Sequence, residues 1–363
     1  MDSFIEEAEK FEHPKKMDKK EDDDFFKPQI VVVGVGGSGC NTVNRLMQMN
    51  VENVMTIAIN TDYQHLKMIR AHKKVLIGKK ITRGLGAGGY PEKGRMAAES
   101  ARDKLKELLE DANMVFVCAG MGGGTGTGAS PVVAEVAKEN DAIVIGVATM
   151  PFSIEKGRLI KAHQGLEEFR KHCDTVIVLD NNKLIEYYPH MPIEKAFSVL
   201  DQIIARTIKG LTDTILYPSM MNIDFADVQA IMQNGDVAAL FVGESRTSEN
   251  RAMDVVKNCL SHPLLEVDLC EATGALVHIS GGKDLSIKEV HDIVKELTYE
   301  LSNNAMVKIG ARIYPELDGI VRVVAIVTGV RSPNLLPRND RKLTEFEKKV
   351  EKTSHKRNGI DFI

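Results

Sequence analysis

Three short segments give up side chains in a way that chemistry can use: "GVGGSGCN" from Gly34 to Asn41, "RGLGAGGYP" from Arg83 to Pro91 and "GMGGGTGTG" from Gly120 to Gly128. Backbone without Cβ atoms can turn sharply and bring its N–H groups up to an anion, and a helix that starts in such a loop adds unpaired amides and the positive end of its dipole. That is chemistry for holding phosphate. The first segment alone has the form of a dinucleotide fingerprint, for which Asp62, at the end of the next apolar run, is placed as the ribose-binding acid of an NAD site. A pyrophosphate needs one such loop, however, and three at the ends of apolar runs predict a triphosphate. The chain has no G-x-x-x-x-G-K-[ST] sequence, so these are not the loops of a P-loop protein.

The elements that must position the loops are legible as a regular alternation. The runs "QIVVVGV", "VMTIAIN", "KVLIG", "MVFVCAG", "AIVIGVATM" and "TVIVLD" are short and β-branched, lack the polar alternation of a one-sided sheet, and are separated by amphipathic helical patterns. This predicts the α/β class: a Rossmann-like parallel sheet covered by helices on both faces, with the loops at the carboxyl ends of its strands. Pro131 is expected in the first turn of the helix after the last glycine-rich segment, where its missing N–H costs nothing. From Met191 to Leu216 helical periodicity persists for about seven turns, enough for a spine between domains. Beyond it, "AALFVGES", "GALVHIS", "AMVKIGARIYPEL" and "IVRVVAIVTGV", with helical patterns between them, predict a second, smaller α/β domain with mixed strands. The expected organisation is an N-terminal extension at 1–28, a nucleotide domain at 29–193, a central helix at 194–217, a second domain at 218–330 and a flexible charged tail at 331–363.

Composition narrows the function. Among 363 residues, 47 basic and 51 acidic side chains are interleaved to a formal charge of −4, which leaves no electrostatic footprint for nucleic acid. Cys40, Cys118, Cys173, Cys259 and Cys270 are scattered without a C-x-x-C pair, against a disulfide framework or a zinc site. No apolar run approaches the roughly 18 residues of a membrane span, and the acidic start is not a signal peptide. A cytoplasmic protein without direct membrane insertion is expected.

Several motifs then coincide. "GGGTGTG" (Gly122 to Gly128) matches the signature of the tubulin/FtsZ family, and "NIDFADV" (Asn222 to Val228) matches the FtsZ catalytic-loop motif. "GVGGSGCN", "INTD" (Ile59 to Asp62), "TRGLGAGG" and "ATGALVHI" (Ala272 to Ile279) fall in the expected order. Over about residues 29 to 330 the chain resembles this family of polymerising GTPases of prokaryotic cell division. The resemblance implies a GTP/GDP-binding domain, a long core helix, a C-terminal GTPase-activating domain, a requirement for Mg2+, and head-to-tail protofilaments assembled with GTP at a midcell division ring. The closing "GIDFI", Gly359 to Ile363, is similar to the family's C-terminal peptide, which docks on membrane-tethering division proteins.

Carried over by residue, the resemblance implies that Gly36, Gly37, Ser38, Gly39, Cys40 and Asn41 form the first phosphate loop. Ala87 and Gly88 approach the γ-phosphate, while Gly124, Thr125 and Gly126, flanked by Gly123, Thr127 and Gly128, hold the α and β phosphates. Asp62 also joins the nucleotide site, Glu155 and Asn181 meet the ribose with Arg158 nearby, and Phe197 and Asp201 take the base. The last pair agrees with helix geometry: i,i+4 residues share a face, and a carboxylate can accept from the N1–H and N2–H2 donors of guanine but meets an acceptor at N1 of adenine. Asn222, Asp224 and Asp227 are implied to reach the GTP of the adjacent subunit and polarise the attacking water. The same Asp224 and Asp227 also fit a helix N-cap and a first-turn acid.

Two departures from the family pattern stand out. Glu155 and Arg158 are three residues apart where four are usual, and Tyr90 occupies a position commonly held by Asn. They leave open a non-hydrolysing regulatory or scaffolding paralogue as a second class of function. A third, an NAD-dependent oxidoreductase, uses only the first loop and Asp62 and leaves the other loops unexplained.

Overall fold

Val31, Val33 and Val35 face one apolar layer and Ile30 and Val32 the other, and none is more than 1% exposed. Burial on both sides is why this run carries no polar alternation. A computed structural model describes residues 28–332, apart from 52, 218, 220, 234–235, 247–249, 262 and 303. In it the first half of the chain forms β1 (Ile30–Val35), β2 (Val54–Asn60), β3 (Lys73–Leu76), β4 (Met114–Gly120), β5 (Ile143–Met150) and β6 (Thr175–Asp180), all parallel, in the order β3-β2-β1-β4-β5-β6. The order reverses between β1 and β4, so a crevice opens beyond their carboxyl ends, where the first and last glycine-rich segments lie.

Twelve described helices flank the sheet: α1 (Gly36–Gln48), α2 (Tyr63–Met68), α3 (Lys79–Thr82), α4 (Pro91–Glu99), α5 (Arg102–Leu109), α6 (Thr125–Glu139), α7 (Lys156–Lys171), α8 (Asn181–Tyr187), α9 (Ile193–Leu216), α10 (Phe225–Met232), α11 (Arg251–Ser261) and α12 (Ile287–Leu297). Apolar residues of α4 to α7, α11 and α12 share one layer, and those of α1, α2 and α8 to α10 share the other. The long helix α9 has 24 residues, about 36 Å. It lays Leu200, Ile204, Ile208 and Leu211 on the sheet, each 4% exposed or less.

The second half does not build a separate sheet. β7 (Asp236–Arg246) pairs parallel with β6 over Thr175↔Asp236 to Ile177↔Ala238, and the order continues β7-β10-β8-β9. Here β8 is Gly274–Gly281, β9 Met306–Ile313 and β10 Ile320–Thr328, with β10 antiparallel to both its neighbours and β8 parallel to β9. The mixed strands expected of a second domain are present, as the continuation of one ten-stranded sheet. The edge that β6 would otherwise expose is paired instead.

Pro131 is placed differently from expectation. Helix α6 starts at Thr125, so this proline lies in its interior. The "TGTG" stretch is helix rather than loop because its glycines admit close neighbours: a Cβ on Gly128 would stand 2.7 Å from the Arg95 backbone nitrogen. Residues 1–27 and 333–363, which hold the expected extension and the tail with its terminal peptide, lie outside the described residues.

Candidate active site

The three glycine-rich segments meet. Gly36, with φ 74°, is so close to the Gly120–Gly128 segment that a Cβ would lie 2.8 Å from the Gly126 nitrogen. A Cβ on Gly124 would lie 2.7 Å from Ala87 Cβ and 3.0 Å from the Tyr90 nitrogen, which seats the Arg83–Pro91 segment against the same helix start. Thr61 and Thr125 hydroxyls, 2.6 Å apart, tie the end of β2 to that start. At Gly37 and Gly123, in contrast, a Cβ would meet nothing within 4 Å. These two positions turn bare backbone toward open space, as a cradle for phosphate requires.

Beyond them is a cleft of about 320 Å³ lined by Gly37, Ser38, Asn41, Gly120, Thr149, Arg158, Asn181, Phe197 and Asp201. A second hollow, of about 330 Å³, shares Asn41, Phe197 and Asp201 with it and adds Arg45 and Glu194. The Phe197 ring is 40% exposed and stands 5.7 Å from that of Phe152, tilted by 55°. Burial pushes the Asp201 carboxyl up to about 6, against the opposing pull of a hydrogen bond donated by Thr42 Oγ1 at 3.1 Å and the charge of Arg45. Asn181 presents a buried side-chain oxygen with no hydrogen-bond partner. Leaving such an atom unpaired costs about 1–3 kcal/mol, so the cleft is built for a ligand that donates to it.

Arg158 lines the cleft and forms an ion pair with Glu155, whose other carboxylate oxygen accepts from the Phe152 N–H at 3.0 Å. The Arg158 carbonyl abuts Gly122, whose φ of 87° and missing Cβ leave it room. At the shortened spacing Arg158 lines the cleft and Glu155 reaches it only through its ion pair with Arg158.

Other expected residues are placed elsewhere. The Cys40 thiol is fully buried between the carbonyls of Gly34 and Ile59, and burial pushes it up to about 12, so that residue can offer a ligand only its backbone amide. Gly39 lies under β4, close to the Cys118 carbonyl. Asp62 caps α2, accepting from the His65 N–H at 3.1 Å, and does not line the cleft. Thr127 and Gly128 line a different cleft, with Pro91, Arg95 and Lys161. Sequence reasoning missed Thr42, Arg45, Thr149 and Phe152.

The acidic loop lies at the opposite end of the sheet. Asp224 caps α10 by accepting from the Asp227 N–H at 2.7 Å, and the Asp224 N–H donates to Asp227 at 3.4 Å. Lys308 on β9, 2.5 Å from Asp227, holds that carboxyl below the usual carboxylate range. Asn222 accepts from the Ser219 N–H. The far end of α10 is anchored where Thr175, the first residue of β6, donates to the Met232 carbonyl at 2.6 Å. The acids are thus toward the amino ends of strands whose carboxyl ends carry the cleft. From Asp201 to Leu216 alone, α9 covers about 23 Å.

Residues 29–189 match the GTPase domain of the Tubulin/FtsZ family, and residues 236–331 match the C-terminal domain of the FtsZ family. The chain belongs to the tubulin/FtsZ family. Cell division protein FtsZ 2 of Methanocaldococcus jannaschii is 55% identical over 348 residues, 94% of this chain and 91% of that protein. Its namesake from Halobacterium salinarum is 51% identical over 340 residues, covering 93% and 86%. An empty FtsZ dimer of M. jannaschii matches with a TM-score of 0.81 at 42% identity over 88% of this chain and 96% of that one. As a tubulin/FtsZ protein the chain is a guanine-nucleotide-binding GTPase, which removes the oxidoreductase alternative. Most of the cleft over β1 and β4 falls within the match to the GTPase domain, while Phe197 and Asp201 of α9 and the acids fall between the two matched domains.

Proposed function

We propose that this chain is a division-ring GTPase that assembles head to tail into protofilaments and hydrolyses GTP at a site completed by the next subunit. The carrying observation is that cleft and acids lie at opposite ends of one continuous sheet, so they would meet between copies.

In this reading the amides around Gly37 to Asn41 and Gly123 to Gly126 hold the phosphates, and Ala87 and Gly88 face the γ-phosphate. Asn181 and Glu155 take the ribose, Phe197 stacks on the base and Asp201 accepts from the guanine edge. Phosphoryl transfer asks for a positioned water and charge neutralisation rather than covalent chemistry. Asp224 and Asp227 of the incoming subunit would accept hydrogen bonds from that water, with Lys308 and the helix start keeping Asp227 ionised. Mg2+ would supply the remaining neutralisation on the phosphates. No group of three or more His, Cys, Asp or Glu that could hold a metal ion gathers among the described residues. No described helix is long and apolar enough to cross a membrane. Attachment to the membrane at midcell would fall to a tethering protein bound at Gly359 to Ile363.

Phosphate release measured against protein concentration, with pelleting in parallel, tests the shared site. Turnover per molecule should rise steeply as filaments form. A rate per molecule unchanged on dilution below the assembly threshold would overturn it, and filaments without turnover would favour the scaffolding paralogue.

A further inference from the structure

We propose that Lys161 is a positioning residue for the Arg83–Tyr90 loop, and that its clasp on Gly89 and Tyr90 sets how strongly the site prefers a nucleoside triphosphate over a diphosphate. This rests on the reading above, in which that loop faces the γ-phosphate.

The loop is rich in left-handed backbone. Arg83, Gly84, Gly86, Gly88 and Gly89 all have φ between 54° and 82°, a region where glycine backbone has many alternatives. Its first part is tied to α2 and β2, through Tyr63 N–H to Gly84 and Gly86 N–H to Thr61. Its last part is gripped by a side chain from another element: Lys161 Nζ donates to the Gly89 carbonyl at 2.7 Å. The same ammonium stands 5.5 Å from the centre of the Tyr90 ring, and that of Lys93 stands 4.9 Å from it, both within cation–π range. Tyr90, the departure from the family's usual Asn, is thus the handle the lysines hold.

Lys161 is well placed to link the loops. It lies on α7 one turn after Arg158, which lines the nucleotide cleft and whose carbonyl abuts Gly122. Gly124 in turn touches both Ala87 and the Tyr90 nitrogen. Fixing Gly89 and Tyr90 from α7 therefore fixes Ala87 against the Gly120–Gly128 segment before any ligand arrives. A ligand with a γ-phosphate then meets a formed subsite, and one without it gains nothing from the clasp.

Displacement of a fluorescent guanine nucleotide from the full-length chain, diluted below assembly, tests this with GDP and a hydrolysis-resistant GTP analogue. Lys161→Met and Tyr90→Leu are expected to weaken the analogue about tenfold while GDP affinity stays within about twofold; Lys161→Arg should retain most of the preference. The Tyr90 ring is 55% exposed and Lys161 lines an open cleft, so both substitutions should leave the thermal midpoint in place. Equal losses for both nucleotides in both variants, or no loss in either, would overturn the proposal. Asp201→Ala serves as the control: it should lose both nucleotides. A wild-type chain that binds neither would remove the underlying reading of the cleft, and this proposal with it.

Discussion

Thr42 Oγ1 donates to Asp201 at 3.1 Å and so joins the helix leaving the first glycine-rich loop to the long helix α9. The contact holds the carboxylate proposed to meet guanine, and it opposes the burial that raises that carboxyl to about 6. Guanine donates from N1 and N2, so recognition requires the ionised form. Affinity for GDP should be full well above pH 6 and fall as pH drops through it, a dependence that titration calorimetry between pH 5 and 8 would read. Asp201→Asn should weaken binding by about tenfold or more and flatten that profile, because one acceptor becomes a donor facing a donor. A profile of the same steepness in Asp201→Asn would assign the titration to another group.

Asp227 and Asp224 share one capping box yet should separate in their effects. Asp224→Ala removes the side chain that accepts the Asp227 N–H and should cost about 0.5–2 kcal/mol of stability. Asp227→Ala leaves that cap acceptor in place and gives up an exposed ion pair with Lys308, so its stability cost should stay below about 1 kcal/mol. Its effect should fall on chemistry: nucleotide binding and filament formation are expected to persist while most turnover is lost. Urea unfolding beside phosphate-release assays would show the split, and undiminished hydrolysis in Asp227→Ala would take that residue out of the mechanism.

The sequence made β1, β2, β4, β5 and β6 legible because each is buried on both faces, and apolar runs such as "IVVVGV" have few other ways to fold. It could not show that β7 continues the same sheet, because a three-residue parallel ladder leaves no periodic mark. Nor could it sort the glycines. Gly37 and Gly123 face open space whereas Gly36, Gly124 and Gly128 serve contacts between segments, and all look alike in one dimension. Thr42 and Lys161 were missed for a related reason. Their partners Asp201 and Gly89 are 159 and 72 residues away, and an isolated Thr or Lys on a helix carries no signal of its own.

His278 on β8 is held between the hydroxyls of Thr214 on α9, at 2.7 Å, and Ser280, at 2.8 Å. It is 2% exposed, and burial lowers it from 6.5 to about 4, with Asp213 and Arg312 acting in opposite directions. A folded state that resists protonation binds fewer protons than the unfolded chain, so this group's contribution is complete above pH 6.5 and is lost as pH falls toward 4. The displacement corresponds to about 3 kcal/mol at its limit. Asp201, whose carboxyl is raised, works in the opposite direction below pH 6. Comparison with His278→Gln isolates the histidine: the gap in unfolding free energy between wild type and variant should narrow by about 2–3 kcal/mol from pH 7 to pH 4.5. A gap independent of pH would mean that His278 titrates normally.

Gly37→Ala and Gly128→Ala should fail in opposite ways. A methyl on Gly128 would press on the backbone of Pro91 and Arg95, and backbone cannot rotate aside, so α4 and α6 must separate. Overpacking of this kind costs about 1–3 kcal/mol. A methyl on Gly37 meets no protein atom within 4 Å and the position is not left-handed, so the thermal midpoint should hold. It would instead occupy the space in front of the first loop and hold a phosphate away from the amides, weakening GTP and GDP alike by about tenfold or more. Calorimetric melting and nucleotide titration on the two variants together check this, and a Gly37→Ala chain that binds as well as wild type would move the phosphates away from the first loop.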